Sequence, residues 1–168
     1  NNEECNIIKL RDIVDTMSGE YITKSKMVQG VYPVYGGGNI TNHVNIFNRE
    51  NELIINKDGV SHNCVRFENG KFYLNHHGWT LKYKKPALKE YINNWLFHHQ
   101  ELIYDLATGS AQKGISKEKF LSLEVKIPTN EQFIKDIGIE LAKIKDLREE
   151  IGNLDGIYKK FVHELCES

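Results

Sequence analysis

The chain has 168 residues, a hydrophobic fraction of 40% with 10% aromatic, and a net charge of −1. That length buries a core without covalent staples, and no apolar run approaches the ~20 residues of a membrane helix. Cys5, Cys64 and Cys166 stand singly with no C-x-x-C, which argues against a disulfide framework or a zinc site.

The first residues, "NNEECNIIKL", have neither the basic flank nor the apolar stretch of a signal peptide, so a cytoplasmic location is expected. They also lack a starting Met, so a piece of a longer chain is expected. "NIIKLRDIVDTMSGEYI" reads as a short strand, one helical turn and a turn at Gly19. "VYPVYGGGN" begins as a strand, with Pro33 at its edge or its start. "ELIINKDG" is a strand ending in a Lys-Asp-Gly turn. In "CVRFENGKFYL", Val65 and Phe67 alternate with Arg66 and Glu68, and Phe72 and Leu74 with Lys71 and Tyr73. Asn69-Gly70 between them predicts a two-residue hairpin. "WTLKY" is a further strand.

Pro86 opens a predicted helix whose apolar stripe runs from Leu88 through Ile92, Leu96 and Ile103 to Leu106. After the polar loop "ATGSAQKGIS", Ser116 is placed to cap a short helix, and "LEVKI" is a strand stopped at Pro128. Thr129 with Gln132 reads as a capping box. From Glu131 onward, Ile134, Ile137, Leu141, Ile144 and Ile151 fit a heptad seam interrupted at Arg148, and "GNLDG" predicts a kink. The fold class expected is α+β: a compact mixed-sheet body over 1–130, then a long amphipathic helical region over 131–168.

The chemistry-bearing motifs are mostly negative. The glycines of "GVYPVYGGGN" lack the Lys-Ser or Lys-Thr of a P-loop and the third glycine of a dinucleotide fingerprint. That leaves either a plain turn or a loop whose bare backbone approaches a large partner, with Tyr35, Asn39, Asn42 and His43 around it. His76 and His77, placed at a strand edge, are expected to point opposite ways. Glu124-Val125-Lys126 with Asp105 upstream matches a metal-dependent nuclease pattern that is short and frequent by chance. No nucleophile elbow and no Asn-Pro-Pro-Tyr methyltransferase motif occurs.

Charge distribution says more than net charge. Residues 1–130 hold 16 Lys+Arg against 14 Asp+Glu, and 131–168 hold 6 against 9. Lysines cluster at Lys24 and Lys26, at Lys82, Lys84, Lys85 and Lys89, and at Lys113, Lys117 and Lys119. The loops Asn56–Cys64, Leu74–Trp79 and Thr108–Gly114 are rich in Asn, His, Ser, Gln and Lys, the side chains that pair with base edges and phosphates. Together they nominate Lys24, Lys26, Tyr35, Asn39, Lys57, His62, His76, His77, Lys82, Lys84, Ser110, Gln112 and Lys113 as DNA-binding residues.

The order of these pieces resembles a target recognition domain of a type I restriction-modification specificity subunit. The matching stretches are "KLRDIVDTMSGEYITKS", "GVYPVYGGGNIT", "ELIINKDG", "WTLKY", "ALKEYINNWL" and, most specifically, "LATGSAQKGISKEKFLSLEVKIPTNEQ". The resemblance covers nearly the whole chain. It implies a non-catalytic reader of double-stranded DNA, with no metal or cofactor of its own. In the family, two such domains joined by antiparallel helices read a split site. Methyltransferase subunits dock there and methylate adenine using S-adenosylmethionine, and a motor-nuclease subunit with ATP and Mg joins them. This chain holds one domain and one helical region. The resemblance therefore implies a half-subunit pairing through Ile134, Ile137, Leu141, Ile144 and Ile151, as a homodimer or with a second recognition domain, or one half of a longer polypeptide. A recognition domain fused to a single-chain methyltransferase, a metal-dependent nuclease and a protein-interaction adaptor remain the alternatives.

Overall fold

A computed structural model describes residues 4–36, 40–110 and 112–166, of which 161–166 are described by backbone alone. Eight strands and four α-helices follow in chain order. They are β1 (Cys5–Lys9), β2 (Val14–Ser18), β3 (Gln29–Tyr35), β4 (Asn42–Val44), β5 (Arg49–Asn56), β6 (Val65–Leu74) and β7 (Gly78–Tyr83). Then come α1 (Lys89–His98), α2 (Gln100–Asp105), α3 (Lys117–Leu121), β8 (Glu124–Pro128) and α4 (Glu131–Cys166). The main sheet has six strands in the order β2-β7-β5-β6-β3-β4, and β1 pairs with β8 in a separate two-stranded sheet. Only β3 and β6 run parallel, so the sheet is mixed and the fold is α+β as the sequence predicts.

Strand β5 explains the centre. Leu53, Ile54, Ile55 and Asn56 are all buried, so both faces of the strand are covered. Leu53 and Ile55 join Val65, Trp79, Leu81, Ile92, Leu96 and Phe120 in the principal core. Ile54 joins Tyr35, Phe72 and Leu74 on a second cluster. Burying each such side chain contributes roughly 1.5–3 kcal/mol.

The predicted hairpin at Asn69-Gly70 is absent. β6 runs straight through these residues, and both of its arms pair with β5. Between the pairs Glu50↔Lys71 and Glu52↔Glu68, Asn69 and Gly70 oppose the single residue Asn51. The Asn-Gly pair therefore makes a bulge. Gly70 takes φ +75 and Asn51 φ 52, and the Gly70 amide donates to Asn51 Oδ1 at 2.7 Å. Val65 packs in one cluster and Phe72 and Leu74 in the other.

Four further expectations change. Ile13–Gly19 contains a full strand, β2, paired with β7, where only a turn is predicted. The helix from Pro86 breaks at His99 (φ −113, ψ 33), whose ring stacks on Trp95 at 4.3 Å and bonds the Trp95 carbonyl at 2.7 Å. The cap of α4 is Asn130, whose Oδ1 accepts from the Phe133 amide at 3.1 Å, while Thr129 bonds the Glu4 carbonyl instead. α4 does not break at "GNLDG": it is one helix of 36 residues, roughly 54 Å long. The Ser116 cap of α3 is as predicted, accepting from Lys119 N at 3.2 Å.

The heptad seam also shifts. Ile134 is buried at 6% exposure and Leu141 is half-buried, both on the face that packs against the body. On that face Gly138 lies against Glu90, and Lys145 sits over the Phe67 ring at 5.7 Å. Arg148 lines the same side with Phe67, Asn69 and Phe97, so it does not interrupt an outward seam. The exposed stripe is the neighbouring one: Phe133, Glu140, Ile144, Leu147, Ile151, Leu154 and Tyr158, with half-buried Ile137 on the same line between Phe133 and Glu140.

Gly70 stands in open space, so its replacement tests backbone strain alone. Gly70→Ala should destabilise by about 1–2 kcal/mol in denaturant unfolding, the cost of a left-handed residue with a Cβ, and Gly70→Asn should recover most of it.

Candidate nucleic-acid interface

One end of the main sheet collects the polar loops. β5 ends at Asn56 and delivers Lys57 and Asp58 there, whose amides donate to the His77 carbonyl at 3.0 and 3.3 Å. Ile115 N donates to the Lys57 carbonyl at 2.8 Å, and Val60 N to the Lys113 carbonyl at 3.1 Å. The loop after α2 is closed at its neck by reciprocal bonds of 2.9 Å between Thr108 and Gly114. Gly109 at φ +121 lets it turn, since a Cβ there would fall 2.4 Å from the Gln112 carbonyl oxygen. The end of β3 joins the same place, because Asn75 N donates to the Tyr35 carbonyl at 2.9 Å and the Asn75 side chain lies against Gly36.

Backbone bonds thus bring together Lys57, His62, His76, His77, Ser110, Gln112 and Lys113, with the last three exposed. His76 and His77 do not point opposite ways. They sit in a turn where Asn75 Oδ1 accepts from His77 N at 2.9 Å, and their rings lie 3.9 Å apart. His77 Nδ1 meets Asp58 Oδ2 at 3.0 Å, and Lys57 meets the same carboxylate at 3.5 Å. His76 stacks against Tyr21 at 5.2 Å, and its Nδ1 is buried without a partner. Burial first, then the neighbouring His77 and Lys57 charges, push the His76 pKa down.

The other predicted residues fall elsewhere. Tyr35 is buried at 6% exposure, edge-on to Phe72 at 5.7 Å and under the Arg66 guanidinium at 5.1 Å. Burial and a hydrogen bond to Glu68 raise its pKa well above the usual phenol value, so it is a core residue. Lys82 lies near the far end of β7 and Lys84 just past it, roughly 13–20 Å from the start of the strand after the His77 turn. There Lys82 pairs across from Asp15, and the Lys84 ammonium donates to the Arg11 carbonyl. Lys24 and Lys26 are exposed on a three-ten turn, and Asn39 lies outside the described residues.

Sequence reading misses Tyr104, Glu101, Asp58 and Tyr21. The His62 ring lies 3.9 Å from the Tyr104 ring, and its Nδ1 meets the Glu101 carboxylate at 2.9 Å. Tyr104 falls off the buried stripe of its helix, and that is the signal by which it is recognisable. Of the nuclease pattern, Glu124 and Lys126 are exposed on β8, and Asp105 ends α2. Among the described residues no group of three His, Cys, Asp or Glu is placed to hold a metal ion.

A mixed-sheet body that pools Asn, His, Gln and Lys loops at one end, and extends a long helix with an apolar outer stripe, defines a recognition module. The chain belongs to the type I restriction modification DNA specificity domain family, whose model matches residues 2–149, and it is non-catalytic. The S subunit of the type I restriction-modification system from M. genitalium superposes with a TM-score of 0.83 at 22% identity over 95% of this chain. The HsdS subunit from Thermoanaerobacter tengcongensis gives 0.56 at 12% over 89%. A structure bearing on complex assembly and conformational transition of the type I R-M system gives 0.60 at 13% over 96%. The chain spans 44%, 39% and 43% of those three chains respectively. No curated protein matches the sequence.

The His76 shift has a definite sign. A histidine whose folded pKa is depressed contributes stability above its unfolded value of 6.5, and that stability is lost as pH falls through the folded value. The His76 ring resonance should therefore titrate below 6.5 in an NMR pH series, and His76→Gln should flatten the loss of stability on the acid side. A midpoint at or above 6.5 would contradict this environment.

Proposed function

We propose that this chain reads one half of a split double-stranded DNA site through the loop end of its main sheet. The observation that carries this is the backbone-bonded pool of Lys57, His62, His77, Ser110, Gln112 and Lys113, drawn from three separate segments of a DNA specificity domain. Their donors and acceptors suit base edges, and their cations suit phosphates. On this reading S-adenosylmethionine, ATP and Mg belong to partner methyltransferase and motor-nuclease subunits, and the protein works in the cytoplasm. No described helix is long and apolar enough to cross a membrane.

The second part of the proposal concerns α4. Residues 150–160 are exposed throughout, and α4 continues to Cys166, so the helix runs roughly 25 Å beyond Glu149, whose carboxylate accepts from Asn69 Nδ2 at 2.7 Å. Leu147, Ile151, Leu154 and Tyr158 are 57–66% exposed along one line. An exposed row of this length is an association surface. Paired antiparallel with a second copy or a second recognition domain, it sets two readers at opposite ends and offers methyltransferase subunits a platform.

Selection from a randomised duplex library tests the first part. The chain should enrich a short defined sequence, and Gln112→Ala should relax preference at one position by about 1–3 kcal/mol. A pool that stays random at every position contradicts the reading. For the second part, Leu147→Asp with Leu154→Asp changes only exposed residues. It should give a folded monomer by sedimentation where the unaltered chain self-associates at tens of micromolar. Strict monomer behaviour of the unaltered chain, with no assembly on adding a methyltransferase subunit, argues against it.

A further inference from the structure

We propose that Tyr104 is a positioning residue that pre-orders Lys113 as a phosphate-contacting cation and fastens its loop to the loop carrying His62. The inference rests on the DNA-reading proposal above. The Lys113 ammonium donates to the Tyr104 hydroxyl at 2.6 Å and lies 4.1 Å from the centre of its ring. The His62 ring lies 3.9 Å from the same phenol ring, and His62 is tied by Nδ1 to Glu101, one turn earlier on α2. One phenol therefore touches both loops, which backbone bonds also join, between Val60 and Lys113 and between Ile115 and Lys57.

The chemistry favours presentation over neutralisation. A phenol hydroxyl is uncharged, so Lys113 keeps its full positive charge while one of its three donors is engaged. The remaining donors are left for an anion. An unrestrained lysine loses rotamer freedom when it meets a phosphate, and a lysine already held against a ring has less to lose. The break at His99 makes this possible. It starts α2 afresh, and Gln100 anchors the new helix by accepting from Val65 N at 2.8 Å. Tyr104 then faces the loops while Ile103 enters the core. Tyr104 acts through Lys113 and not on DNA itself, which separates it from the loop-tip residues.

The test uses the full chain and a duplex of mixed sequence, so no target sequence is needed. Lys113→Ala should lower affinity and make the salt slope shallower by about one. Tyr104→Ala should weaken binding about three- to tenfold, the effect of freeing one long side chain. Tyr104→Phe keeps the ring under the ammonium and should restore most of that loss. In a Lys113→Ala background, Tyr104→Ala should have a clearly smaller effect, that of freeing the His62 loop alone. A second readout needs no DNA: acylation of the Lys113 amine, followed by mass spectrometry, should speed up in Tyr104→Ala relative to the other lysines. Equal losses from Tyr104→Ala with and without Lys113, or an unchanged acylation rate, would overturn the proposal and leave the DNA-reading proposal standing. Failure of the unaltered chain to bind any duplex, with faster acylation in Tyr104→Ala, overturns the phosphate role together with the DNA-reading proposal.

Discussion

Burial of both faces of β5 is the constraint on which the rest depends. Leu53 and Ile55 enter one cluster and Ile54 the other, so the strand must be covered by helices on one side and by β3 and β6 residues on the other. A strand fixed this way cannot slip by one residue without sending Leu53 and Ile55 into the cluster shaped for Ile54, and Ile54 into theirs. Its fixed register ends at Asn56, which is fully buried. With its amide turned to suit its neighbours, Asn56 donates to the Gly36 carbonyl at 3.0 Å and accepts from Arg66 at 3.2 Å. The core thus sets the point where Lys57 and Asp58 leave the sheet, and the backbone bonds from there to His77 and Ile115 carry that placement to the other loops.

What was legible in the sequence follows from what period-based reading can detect. Strands with a local signal, an apolar run in β5 and alternation in β7, and the short capped helix α3 are visible because their signals lie within the segment. The Asn69-Gly70 pair is ambiguous for the same reason. A positive φ at glycine serves a hairpin turn or a bulge equally, and only the partner strand decides between them. Here both arms face β5, which no local pattern contains. At the His99 break the ring bonds the Trp95 carbonyl four residues back, while the next residue, Gln100, is held by the Val65 amide, a partner that no local pattern contains.

The helix α4 shows the limit of periodicity more sharply. Two heptad seams lie side by side on it, one through Ile134 and Leu141, the other through Leu147 and Leu154. Both satisfy the three-four spacing, and only the presence of α1 and Phe67 against the first assigns the second to solvent. At the loop end, polar composition correctly picks out three segments that meet. Composition cannot tell Lys113, held at that end, from Lys82, which is as basic and lies at the other end of the same sheet. Tyr35 shows the same limit: a tyrosine beside a glycine loop reads as a surface group until Phe72 and Arg66 are seen to enclose it.

Electrostatics connects the loop end to the helix. The basic side chains gathered at the loops are already engaged: Lys57 and His77 with Asp58, His62 with Glu101, Lys113 with Tyr104. Two carboxylates sit among them, so the surface offers little net positive potential. Non-specific affinity for a polyanion grows with the number of phosphates neutralised, and a surface of this kind neutralises few. On the DNA-reading proposal, one body alone is then a weak binder whose discrimination comes from geometry more than charge. A second body held through the exposed stripe of α4 would convert the next binding event into an intramolecular one, raising the effective concentration without any new contact to DNA. The sparse charge of the body and the bare apolar row on the helix are complementary in this sense: the first leaves affinity short, and the second supplies the means of recovering it.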